Sequence, residues 1–208
     1  MRPQTWQENG ERMRRERDQE MLELEVFADQ IEKKRYFSPF ELSYLSHFPL
    51  IYELYQRSMS LFEEWESIGT ERETLRLVQC HGRPSPDHLI IDHQRNYRFI
   101  NMEHTDAGHP AHDIAWMYQS CMEERCFEPV KAYNWIQTYN QHFPFQDADQ
   151  VLLKSQILYP GRLFSFLKKS QNRKLSSEPS LTFELEQHVG LLEKIKQDMD
   201  TWPEDKAT

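Results

Sequence analysis

Glycine is scarce in this chain, with six among 208 residues. That leaves little room for Gly-rich loops or for a fold built on many tight β-turns. Cysteine is scarce as well: Cys80, Cys121 and Cys126 make an odd number, whereas secreted scaffolds usually carry more, in pairs. A reducing compartment and inert, buried thiols are the expectation, and the spacing of Cys121 and Cys126 is not that of a CxxC motif. The opening MRPQTWQENGERMRRER has no apolar core of the kind a secretory signal needs. No run approaches the roughly 20 apolar residues required to span a bilayer. Surplus positive charge is missing too, since 25 basic residues face 34 acidic ones for a formal net of −9. Nonspecific binding to nucleic acid or to an anionic membrane is therefore disfavoured. The local stretch Lys168, Lys169, Arg173 and Lys174 reads as solvated surface beside a Ser-rich loop. Together these absences point to a cytoplasmic protein.

What the chain does have is 38% hydrophobic and 12% aromatic content with regular apolar spacing, enough for one sizeable core. Residues 11–35 are densely charged, with Leu24, Phe27 and Ile31 at helical spacing, which predicts a surface helix with one narrow apolar stripe. Ser38-Pro39-Phe40-Glu41 is a helix start in which Ser38 caps, Pro39 suits the first turn and Glu41 reaches back. Pro49 is expected to kink or divide that element, whose apolar face resumes at Ile51, Leu54, Phe62 and Trp65. The middle changes character. Leu75–Cys80 is a short apolar run, followed by the polar HGRPSPDH, then Leu89-Ile90-Ile91 and Tyr97-Arg98-Phe99-Ile100 around a polar turn. A hairpin is the natural reading of the last two. Helices are expected again from Pro110, from Pro129 and from Asp147, where Gln150 would complete a capping box. Tyr159-Pro160-Gly161 should interrupt the third, residues 171–180 should form a polar loop, and Leu185, Val189, Leu192, Ile195 and Met199 should share one face of a last helix. The domain reading is a charged N-terminal helix over 1–37 and one mostly α lobe with a small β-hairpin over 38–208.

The informative segment runs from His81 to Ala115: HGRPSPDHLIIDHQRNYRFINMEHTDAGHPAHDIA. It resembles the catalytic core of the aminoglycoside/choline-kinase-like phosphotransferases, whose pattern is HGDxxxxN, a β-hairpin, I-D-[FW]-E and then G-x-P-x-x-D-[IL]-A. Within that superfamily the segment is similar to Bacillus spore coat proteins of the CotS/YutH type. The resemblance implies a protein-kinase-like C-terminal lobe. It also implies a nucleotide-binding, β-rich N-terminal lobe, yet the residues before the motif read as helices, and no GxGxxG, Walker loop or VAIK-like strand occurs. Either that lobe is absent or the chain is a fragment.

Taken position by position, the resemblance divides. His81 and Gly82 open the motif, but the base position holds Arg83, whose guanidinium cannot accept a proton at ordinary pH. Where the family places a magnesium-holding asparagine there is His88, and where it places the principal metal aspartate there is the neutral Asn101. Glu103 keeps its carboxylate. Gly108, Pro110, Asp113 and Ala115 fit the frame. The resemblance implies that Asp113 hydrogen-bonds the backbone of the catalytic loop.

No catalytic residue, metal or cofactor is therefore expected, and the leading expectation is a catalytically inactive pseudokinase with a structural or scaffolding role in the spore coat. Its partners would be other proteins, and the stripe on the first helix is a candidate surface for self-association. Two rival readings stand beside it: a phosphotransferase with a rearranged site built on Glu103 and helped by Asp87 or Asp106, and a regulatory module that binds a ligand without turnover. Arg83 can pair with Asp87 or Glu103, or lie exposed. His104, His109 and His112 follow no strong metal-ligand spacing and read as loop and helix-start histidines. The aromatic residues Tyr133, Trp135, Tyr139, Phe143, Tyr159, Phe164 and Phe166 read as core rather than as a pocket lining.

Overall fold

The structure, a computed structural model, describes residues 6–69, 77–122, 129–172 and 177–202. Leu75, Cys126, Arg173 and Lys174, on which sequence expectations were placed, lie outside them. The elements are α1 (Trp6–Glu32), α2 (Pro39–Gly69), β1 (Val78–Cys80), a 3-10 turn (Pro86–His88), β2 (Leu89–Ile91), β3 (Tyr97–Phe99), a second 3-10 turn (Met102–His104), β4 (Asp106–Gly108), α3 (Pro110–Met122), α4 (Pro129–His142), α5 (Asp147–Leu158), α6 (Gly161–Asn172) and α7 (Glu178–Asp200). They divide into two compact units, one made of residues 1–7 and 60–157, the other of 8–59 and 158–208.

In the second unit, α1 and α2 meet through the stripe the sequence marks. Leu24 and Ile31 are buried along with Met21 and Ala28, and the Phe27 ring lies 5.0 Å from that of Tyr44. The Tyr44 hydroxyl donates to the Leu24 carbonyl at 2.9 Å, so the buried phenol is satisfied. α2 opens with the capping box its sequence predicts: Glu41 N–H donates to Ser38 Oγ at 3.3 Å, and Ser38 N–H donates to Glu41 Oε2 at 3.0 Å. Lys34 pairs with the same carboxylate. Its hydrogen bonds hold the Glu41 carboxyl below the usual range. Pro49 does not divide the element; α2 continues through it. The missing N–H and the ring crowding of one proline are outweighed by the burial of Ile51, Leu54, Phe62 and Trp65 beyond it, each contributing about 1.5–3 kcal/mol.

The same unit buries an arginine. Arg17 is 3% exposed; its Nη1 donates to Ser58 Oγ at 3.2 Å, and its guanidinium lies 4.4 Å from the centre of the Tyr159 ring. The Tyr159 hydroxyl donates to Glu20, whose carboxyl is pushed up chiefly by burial. α6 and α7 pack through Leu163, Phe164, Leu167, Leu185, Val189, Leu192 and Ile195, all buried. Tyr159 and Pro160 break α5 from α6, as the sequence expects.

The first unit holds the strands with α3, α4 and α5. β1 pairs antiparallel with β4, Gln79 opposite Ala107, and β2 pairs antiparallel with β3, Ile90 opposite Arg98. The second pair is the expected hairpin; the partner of β1 was not expected. The start of α5 differs by one position from the sequence reading. The residue that reaches back is Asp149, whose Oδ2 accepts from Gln146 N–H at 2.9 Å, rather than Gln150. At the other end of α5, the buried Gln119 side chain donates to the Ile157 carbonyl at 2.8 Å, covering a carbonyl that the helix end leaves unpaired.

Candidate functional site

The loop between β1 and the first 3-10 turn carries His81, Gly82 and Arg83, and α3 fixes it from below. Asp113, in the first turns of α3, accepts two backbone hydrogen bonds: His81 N–H to Oδ2 at 2.6 Å and Gly82 N–H to Oδ1 at 2.9 Å. These are the loop contacts that the resemblance implies for Asp113. Charge-assisted bonds of this kind are about twice as strong as neutral ones. Gly82 has φ +89°, and a Cβ there would stand 2.3 Å from the His104 carbonyl oxygen. The loop thus abuts the second 3-10 turn so closely that only glycine fits.

His81 is buried, and its tautomer follows from its partners. Nε2 lies 2.9 Å from the Ile100 carbonyl, which can only accept, so Nε2 carries the proton. Nδ1 then accepts from the Arg83 N–H at 3.4 Å. The ring stacks on His88 with centroids 5.4 Å apart and meets the edge of Phe99 at the same separation. His88 Nδ1 donates to the Arg83 carbonyl at 3.1 Å. This imidazole spends one nitrogen on the loop backbone and its face on His81.

Of the positions the resemblance marks for chemistry, Arg83, Asn101 and Glu103 are exposed and His88 is half-buried. Arg83 is exposed, and its guanidinium lies 5.7 Å from the centre of the Trp116 ring. Among the described residues neither Asp87 nor Glu103 forms an ion pair with Arg83, and the guanidinium rests on an aromatic face. Asn101 takes the left-handed conformation, φ 61° and ψ 48°, which asparagine tolerates better than most residues. Glu103 follows in the second 3-10 turn, exposed, as are Asp87 and Asp106.

The three histidines grouped in the sequence go separate ways. His104 and His112 are exposed, whereas His109 is buried. His109 Nδ1 accepts from Ala111 N–H at 3.2 Å, and Nε2 meets Asp149 Oδ1 at 2.9 Å. Both ring nitrogens are used, one capping α3 and the other reaching the carboxylate that also caps α5. Among the described residues no three His, Cys, Asp or Glu side chains converge as a metal site would require. Sequence reading placed His109 at a helix start but missed Asp149, which lies 40 positions away and shows no local signal. Pro110 opens α3, and Gly108 packs against Cys80, whose Sγ would stand 3.2 Å from an added Cβ. Burial, followed by the nearby Asp113 charge, pushes the Cys80 thiol up to about 12, so it stays protonated and unreactive near neutral pH.

Helices with two small antiparallel strand pairs give a fold resembling that of an aminoglycoside phosphotransferase. The comparison behind that statement is with the crystal structure of an aminoglycoside phosphotransferase from Alicyclobacillus acidocaldarius subsp. acidocaldarius DSM 446, at a TM-score of 0.69 and 16% sequence identity. The match covers 90% of this chain and 55% of that one, so the chain spans little more than half the length of its structural neighbour. No protein-family model matches the sequence, and no curated protein matches it. Among the described residues no helix is long and apolar enough to cross a membrane.

Proposed function

We propose that this chain is a kinase-like protein that does not transfer phosphate and instead serves as a structural or scaffolding component, of the spore coat type its motif resembles. The observation that carries the reading is that Arg83, His88 and Asn101 stand where the resembled motif has its base and metal ligands, while Gly82 and Asp113 of its frame are kept. A protonated guanidinium stacked on Trp116 has no lone pair for a substrate hydroxyl. Losing a general base costs about 3–5 kcal/mol of transition-state stabilisation. Asn101 offers one neutral oxygen where a divalent ion bridging phosphates needs negative charge. No cofactor is expected on this reading. The partners are other proteins, coat proteins among them, with synthesis in the cytoplasm before deposition in the coat.

Magnesium-ATP supplies the test. A ligand that binds the folded state raises Tm by mass action, and millimolar Mg-ATP is expected to leave the Tm of this chain unchanged. A clear magnesium-dependent rise would overturn the reading.

A further inference from the structure

His188 stands where α6 and α7 pack. Its imidazole is half-buried on α7, with the Phe166 ring of α6 centred 4.9 Å away and tilted by 35°. Phe166 is itself buried, as are its neighbours Leu163 and Leu167 on α6 and Leu185, Val189 and Leu192 on α7. One turn before Phe166 on α6 is Arg162, and one turn before His188 on α7 is Glu184. These two are the charged side chains whose fields reach the ring, one from each helix. Among the described residues no hydrogen-bond acceptor holds either ring nitrogen. The imidazole therefore has an aromatic surface to pack on and nothing placed to receive a second N–H.

We infer that His188 makes the pairing of α6 with α7 acid-sensitive: protonation of its ring loosens α7 from α6. A neutral imidazole lies on Phe166 much as an aromatic hydrocarbon would. An imidazolium at the same place brings a charge into a half-buried site, within reach of the permanent guanidinium of Arg162. Two features favour the cation, the Glu184 carboxylate and the face of Phe166. They do not prevail. Burial, followed by Arg162, holds the His188 pKa below the usual histidine range. The sign follows from linkage. Between the unfolded pKa and the lower folded one, the unfolded chain binds the proton more readily, so stability falls as pH drops through that window. Above the window the ring is neutral in both states and the contact is whole. Asp198, about 15 Å further along α7, has a carboxyl that burial pushes up, which gives the opposite dependence. It is shared by the wild type and the variants below and cancels between them. The inference does not depend on whether phosphoryl transfer is lost.

Hydrogen exchange of the full chain at about pH 7.5 and about pH 5.5, the range in which a histidine changes charge, tests it. With exchange rates corrected for their intrinsic pH dependence, the amides of α6 and α7 are expected to lose protection in the wild type at the lower pH. His188→Gln keeps a neutral polar side chain on the helix and is expected to show equal protection at both values. Arg162→Gln removes the neighbouring cation and is expected to lose less protection in acid than the wild type. Each protein is compared with itself at two pH values, so a variant that folds less stably still reports. A wild type whose α6 and α7 amides keep their protection in acid would overturn the inference. So would an acid loss that His188→Gln retains in full.

Discussion

Two halves of one loop region behave differently. The frame, formed by Gly82, Asp113 and the His109–Asp149 pair, is tightly specified: each polar group has its partner at 3.2 Å or less. Arg83, Asn101 and Glu103 are exposed, and the Arg83 guanidinium lies over the face of a tryptophan. A substitution in the frame disturbs backbone that has nowhere else to go, whereas a substitution at the exposed positions disturbs little. The stability of the loop and the identity of the residues at its exposed positions are thus separable here.

The largest test of that contrast is Gly82→Ala. It puts a Cβ 2.3 Å from the His104 carbonyl oxygen in a conformation with φ +89°. It should cost about 3 kcal/mol or more, a strain penalty plus a backbone shift, read as a fall in the denaturant midpoint at constant m-value. Asp113→Ala comes next. Two loop N–H groups lose a charged acceptor, at about 2–4 kcal/mol, and the rate of hydrogen exchange at His81 and Gly82 should rise with it. Asp113→Asn should recover part of the loss, because one amide oxygen still accepts. Arg83→Ala is the smallest, at about 0.5–1 kcal/mol for an exposed cation over an aromatic ring. A loss at Arg83 as large as that at Asp113 would erase the contrast between frame and exposed positions.

Much of the fold was legible in the sequence because its signals are local. Ser38 and Glu41 announce a capping box within four residues, and Pro110 and Pro129 open the helices they were expected to open. The hairpin was legible because two apolar triplets flank a polar turn. What escaped was long-range. β4 is Asp106-Ala107-Gly108, a triplet with no strand propensity of its own. It is a strand because β1 offers it a ladder from about thirty residues upstream. Pro49 reads as a break, but the penalty of one residue does not outweigh the packing on both sides of it. Asp149 was invisible as the partner of His109 for the same reason as β4. The exposure of Leu89, Ile91, Tyr97 and Phe99 on the hairpin was also illegible, since in sequence they look like any half-buried strand pair.

The His109 ring bears on how this region can open. One imidazole receives the first free amide of α3 and meets the carboxylate that turns back onto the start of α5. Neither helix can fray from its N-terminus without stranding a buried polar atom belonging to the other. Since α3 also carries Asp113, local unfolding that begins at α5 propagates to the loop at His81. The loop, the two helix starts and the β1–β4 pair therefore form a single cooperative unit.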